Sequence, residues 1–129
     1  MVLLRAIPAL PIADIDRAVA FYSDRLGFEA RHREASFAIM QRDAVEIHLW
    51  LANGAPGSGA EPKLAGSASC RIGVSGLGAL YEEYRVRGVI HPNGELRTQW
   101  WGDRDFTILD QDNNALAFFE PAAPEPDAP

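Results

Sequence analysis

The sequence predicts an α+β (mixed α/β) domain of two βαβββ modules whose sheets together form a curved groove. Three observations lead there. An apolar stripe at i, i+3, i+4, i+7 and i+11 runs through Ile15, Ala18, Val19, Tyr22 and Leu26, and its first four positions recur at Leu77, Leu80, Tyr81 and Tyr84. A glycine, Gly27 or Gly88, stops each stripe. Short alternating runs follow both helices, and the Gly- and Pro-rich stretch Asn53 to Gly66 separates the two copies.

The elements follow in order. Leu3 to Leu10 reads as a strand, interrupted by Pro8 and closed by Pro11; a proline removes a ladder donor, so this strand belongs at an edge or crosses between bodies. Asp14 is the candidate cap of the first helix, with Asp16 a favourable first-turn charge. Three strands follow, Phe28 to Arg33, Phe37 to Gln41 and Val45 to Leu51. In the last, Val45, Ile47, Leu49 and Leu51 share one face while Glu46, His48 and Trp50 share the other. The second copy opens with a strand from Ser69 to Val74 and a helix capped by Ser75. Its remaining strands cover part of Asn93 to Thr98, Arg104 to Leu109 and Ala115 to Glu120. Asp110 to Asn114 is a turn, since Asp and Asn bond their own backbone; it is too short, and lacks the terminal glutamate, for a calcium loop. The modules run from about 3 to 52 and 69 to 120, in one domain from 1 to 120. Residues 121 to 129, four of them proline, read as a disordered tail.

Bulk properties narrow the function. With 129 residues, 47% hydrophobic and 23% charged, the chain is one ordinary soluble domain. No run approaches the roughly 18 apolar residues of a membrane span. The single Cys70 cannot close an internal disulfide, so a cytoplasmic setting is expected, and a net charge of −6 speaks against a nucleic-acid partner. Each half has an open sheet face that the halves must cover between them. Glu46, His48, Trp50 and Arg71 are candidates to line the resulting concave surface. His48 is a candidate ligand contact or general base, against the plainer reading of a hydrogen-bonded neighbour. His32 and His91 read as surface or loop residues. Trp100 and Trp101, adjacent in a strand, point to opposite faces and are hard to bury together, so at least one is expected at an interface or stacked on a ligand. Cys70 reads as a buried inert thiol, because Arg71 points to the other face and cannot activate it.

These pieces together resemble the vicinal oxygen chelate superfamily (glyoxalase, bleomycin-resistance and dioxygenase proteins). The likeness is carried by Ala6-Ile7-Pro8-Ala9-Leu10, by Asp14-Ile15-Asp16-Arg17-Ala18-Val19-Ala20-Phe21-Tyr22, by Arg25-Leu26-Gly27-Phe28, by Ser75-Gly76-Leu77 with Leu80-Tyr81, and by the turn at 110–114. Phe37-Ala38, and Trp101-Gly102 ahead of Arg104-Asp105-Phe106, make it most similar to the bleomycin-resistance (bleomycin-binding) proteins. The resemblance implies a homodimer that exchanges its first strand about Pro8 and sequesters a bleomycin-type or similar cationic aromatic small molecule in interface grooves, with no chemistry, no cofactor, no nucleic acid and no membrane. It makes Phe37, Trp101 and Gly102 groove residues, with His48, Trp50 and Arg71 as neighbours; Arg71 sits oddly with a cationic ligand. Gln111 and Asn113 stand where the superfamily's turn usually has proline and glycine. The superfamily's enzymes hold a metal at positions that fall here on Ile7, on Glu46 or His48, on Ser69 and on Ala117. A one-residue slip adds only Cys70. No metal site is therefore expected. The alternatives are a superfamily enzyme with a displaced metal site and a binding module for an unrelated metabolite.

Overall fold

The computed structural model describes residues 1–52 and 64–121. The elements are β1 (Ala9–Ile12), α1 (Ile15–Asp24), β2 (Glu29–Glu34), β3 (Phe37–Arg42), β4 (Val45–Leu51), β5 (Ser69–Gly73), α2 (Leu77–Val86), β6 (Arg97–Thr98), β7 (Arg104–Leu109) and β8 (Ala115–Glu120). They form two four-stranded sheets of matching order, β1-β4-β3-β2 and β5-β8-β7-β6, each with one parallel pair beside antiparallel ones. The two βαβββ modules are thus present. Most of the stretch read as a linker, and the tail after Pro121, lie outside the described residues.

Helix α1 buries Ile15, Ala18, Val19, Tyr22 and the following Leu26 against β2, β3 and β4. Asp14 caps it, its carboxylate accepting from the Arg17 amide at 2.9 Å. Helix α2 repeats the arrangement with Leu77 and Tyr84 fully buried. Its cap differs from the expectation. Ser75 does not cap; Gly76 stands at the cap position in a left-handed conformation, φ 84°, with no side-chain bond. Glu120, at the end of β8, takes over, its Oε2 accepting from the amides of Gly76 and Leu77 at 3.1 and 2.8 Å. A carboxylate from a distant strand thus meets the positive end of the helix.

The first strand is shorter than the sequence reading and shifted. Residues 1–8 form no regular element, and β1 pairs parallel with β4 only from Ala9, which lies opposite His48. Pro8 has no N–H and contributes only its carbonyl, which accepts from the His48 amide at 2.9 Å. The chain ahead of it leaves the sheet, so Met1 to Leu4 are exposed apolar residues. Pro11 lies inside β1 rather than after it, tolerated because β1 is an edge strand.

The turn at 110–114 joins the modules. Among the described residues, Asp110 and Asn114 are the buried polar ones. Asp110 Oδ1 accepts from the amides of Asp112 and Asn114, and its Oδ2 from the Tyr22 hydroxyl at 2.8 Å and Asn114 Nδ2 at 2.9 Å. Asn114 Nδ2 also donates to the Pro11 carbonyl, and its Oδ1 accepts from the Ala68 amide. Asp112 accepts from the Ala13 amide, and Arg17 donates to the Gln111 carbonyl. Burial raises the Asp110 carboxyl, and the hydrogen bonds it accepts pull the other way. Asn113 has φ 75°, the left-handed conformation for which asparagine is among the few tolerated substitutes for glycine.

Candidate functional site

The strand alternation read from the sequence holds in β4. Ile47 and Leu49 are fully buried toward α1, while Glu46, His48 and Trp50 are half-buried on the opposite face. Strand β3 brings Phe37 opposite Trp50 and Ile39 opposite His48. The rings of Phe37 and His48 meet edge to face at 5.1 Å, and His32 lies beyond, 6.3 Å from Phe37. His48 Nε2 lies 2.6 Å from Glu46 Oε2, and Arg5 approaches the other oxygen at 4.0 Å. The hydrogen bond to His48 holds the Glu46 carboxyl below the usual carboxylate range. This aromatic cluster carries an ionised acid.

A second cluster stands on the other sheet. Ile72, Leu116 and Phe118 face the core, which turns Arg71, Ala117 and Phe119 outward. The Arg71 guanidinium lies 4.6 Å over the Phe119 ring, a cation–π contact, and 3.7 Å from Asp103 Oδ2. That same oxygen accepts from the Trp101 indole at 3.1 Å. Trp100 and Trp101 do not lie in a strand, as the sequence reading had them. They occupy the turn between β6 and β7, closed by the Gln99 amide on the Asp103 carbonyl at 2.7 Å and the Gly102 amide on the Gln99 carbonyl at 3.0 Å. Gly102, with φ 102°, supplies the backbone reversal that a side chain would strain. In a turn the two indoles are not bound to face opposite sides of a sheet. Even so, both indoles are exposed, Trp100 by 92% and Trp101 by 48%, and they touch edge to face.

The two clusters approach at a cavity of about 270 Å³ lined by Arg5 to Pro8, Val45, Glu46 and Arg71 to Gly73. Glu46 of one cluster and Arg71 of the other thus share a wall with Pro8. No ring contact, ion pair or hydrogen bond joins Phe37, His48 or Trp50 to Trp101 among the described residues. A larger cavity of about 480 Å³ lies beside α2 and holds none of the sequence-predicted residues; in its lining Arg42 donates to both the Glu83 carboxylate and the Tyr84 hydroxyl. Sequence reasoning missed Asp103 and Phe119. A signal existed for Asp103, an acid two residues after an exposed-looking tryptophan, but none for Phe119 beyond strand parity.

The residues do not fit the superfamily's metal. Ala117 lies between Arg71 on β5 and Thr107 on β7, so a guanidinium occupies the neighbourhood where a carboxylate would have to converge. Among the described residues no three His, Cys, Asp or Glu side chains gather to hold an ion. Cys70 is half-buried, and burial, with Asp110 adding to it, pushes its thiol up to about 11, so it carries no nucleophile. No described helix is long and apolar enough to cross a membrane.

Comparison with known proteins accords with this geometry. The family model of the Glyoxalase/Bleomycin resistance protein/Dioxygenase superfamily matches residues 6–118. A bleomycin resistance protein of Geobacillus stearothermophilus is 44% identical over 128 residues, covering 92% of this chain and 97% of its own. Among solved structures, the bleomycin-binding protein of Streptomyces verticillus in complex with copper(II)-bleomycin superposes with a TM-score of 0.74 at 26% identity, over 97% of this chain and 99% of its own. The bleomycin resistance determinant encoded on the transposon Tn5 gives 0.75 at 26% identity, over 94% and 100%. The chain belongs to the glyoxalase/bleomycin resistance/dioxygenase superfamily and, within it, to the bleomycin resistance proteins.

Proposed function

We propose that this chain binds and sequesters a bleomycin-type glycopeptide antibiotic, or a similar cationic aromatic compound, without changing it chemically. The observation that carries the reading is the exposed Trp101 indole, fixed by Asp103 in the turn between β6 and β7, in a chain 44% identical to a bleomycin resistance protein. An exposed aromatic with a set orientation is a stacking platform that gives up little side-chain entropy on binding. Phe37, His48 and Trp50 form the second wall, Arg71 and Gly102 flank Trp101, and Glu46 supplies negative charge. The net charge of −6 favours encounter with a cation.

The working unit in this reading is a homodimer. The exposed apolar arm Met1 to Leu4, leaving the sheet at Pro8, supports an arm exchanged between two copies with Pro8 as its hinge. A dimer would also bring one protomer's Phe37 wall to its partner's Trp101 wall. Titration with metal-free and copper-loaded bleomycin, followed by tryptophan fluorescence, tests the reading; no binding at high micromolar drug removes it. Sedimentation of the intact chain tests the dimer. Stoichiometric nickel, zinc, manganese or iron in gently purified protein would favour the enzymatic alternative instead.

A further inference from the structure

The Arg71 guanidinium raises the question of how a groove for cations tolerates a fixed positive charge. The answer lies in how loosely Arg71 is held. Its 3.7 Å approach to Asp103 is longer than a hydrogen bond, so the pair is held by charge alone between two partly exposed side chains. Its second support is the Phe119 ring, 4.6 Å beneath the guanidinium carbon, and that support does not depend on Asp103. Asp103 is used on one side only. Oδ2 takes both the Trp101 indole and Arg71, while Oδ1 accepts nothing from the described residues. An acceptor oxygen therefore stands open beside an exposed indole.

We propose that Asp103 is the charge selector of this groove, and that Arg71 is a resident cation which the ligand's own cation displaces from it. The ligand's aromatic part stacks on Trp101, its positive group takes the Asp103 carboxylate, and Arg71 withdraws over Phe119. No bond is made or broken; one cation exchanges for another on the same acid. Arg71 then acts as a competitor that weak cations fail to dislodge, which is specificity by repulsion as well as attraction. The inference rests on the drug-binding reading above, and fails separately from it.

The test compares a cationic bleomycin with the same drug whose terminal cation has been replaced by a neutral amide. Binding is measured for the wild type, Asp103→Asn and Arg71→Gln, with thermal melts confirming that both substitutions leave the fold intact. Asp103→Asn should weaken the cationic drug about tenfold while moving the neutral one by less than about threefold. Arg71→Gln should tighten the cationic drug by about threefold or more, because the competitor is gone. Equal losses for both drug forms in Asp103→Asn would reduce Asp103 to a prop for Trp101. Weaker cationic binding in Arg71→Gln would make the guanidinium a direct drug contact. Either result overturns the exchange while leaving drug binding standing. A wild type that binds neither form removes the drug-binding reading, and this inference with it.

Discussion

Strand β7 leaves a turn built on one aspartate and enters a turn built on another, and the two aspartates lead opposite lives. Asp110 is buried, and both its oxygens are filled by four donors: the amides of Asp112 and Asn114, the Tyr22 hydroxyl and the Asn114 amide group. Asp103 is partly exposed, holds one indole, meets one arginine at long range and keeps an oxygen open. The first is a closed account of hydrogen bonds, and such closure specifies structure. The second is an open one beside an aromatic surface, which is what a ligand can complete. The same residue type, a strand's length apart, holds the modules together at one end and faces solvent at the other.

Substitutions should pull the two ends apart. The largest effect belongs to the closed end. Asp110→Ala strands a buried hydroxyl, one of the two Asn114 amide hydrogens and two backbone N–H groups, and should cost about 3 kcal/mol or more in urea unfolding. Loss of drug binding would then follow from loss of fold. Trp101→Ala should do the reverse, lowering drug affinity about 30-fold, near 2 kcal/mol, with an unchanged unfolding midpoint. If Trp101→Ala instead destabilised the chain and spared binding, the division between the ends would collapse. Tyr22→Phe removes one donor to Asp110 and should cost about 1 to 2 kcal/mol, because the carboxylate keeps three others.

The smallest effect is a pH dependence at the closed end. Burial and Asp110 raise the Cys70 thiol from 9.0 to about 11. A thiol that ionises later in the fold than in the unfolded chain makes no difference below pH 9 and takes stability away as pH rises toward 11. Tyr22 and Tyr84 are raised too and steepen the loss at higher pH. Cys70→Ala should therefore flatten only the first part of the alkaline decline, read as urea midpoints from pH 8 to about 11.

Much of the fold was legible because burial writes itself as period. The Ile15 and Leu77 stripes marked both helices, and the alternation of Val45 to Leu51 separated the core face from the half-buried polar-aromatic one. What was not legible came from contacts distant in sequence. Nothing near Gly76 reveals that Glu120 caps α2, and nothing near Asp110 reveals Tyr22. Pro8 announced an interrupted strand, but not that pairing with β4 begins only at Ala9, because that start is set by a strand about 40 residues away. Glu46, His48 and Trp50 were legible as one face of β4, whereas Phe37 was suggested only by the family resemblance and the partner of Trp101 not at all. Its Asp103 is set by Gly102's backbone reversal, which composition alone does not encode.

The Asp110 turn also bears on the order in which the chain is made. Its bonds to the Pro11 carbonyl and the Ala13 amide span 103 and 99 positions. During synthesis the Tyr22 hydroxyl and the Pro11 carbonyl emerge before Asp110 and Asn114, so these bonds can close only once residues 110–114 have been made. Each half looks like a copy of the other on paper. In synthesis they are not equivalent: the second half carries the turn that clasps onto the first.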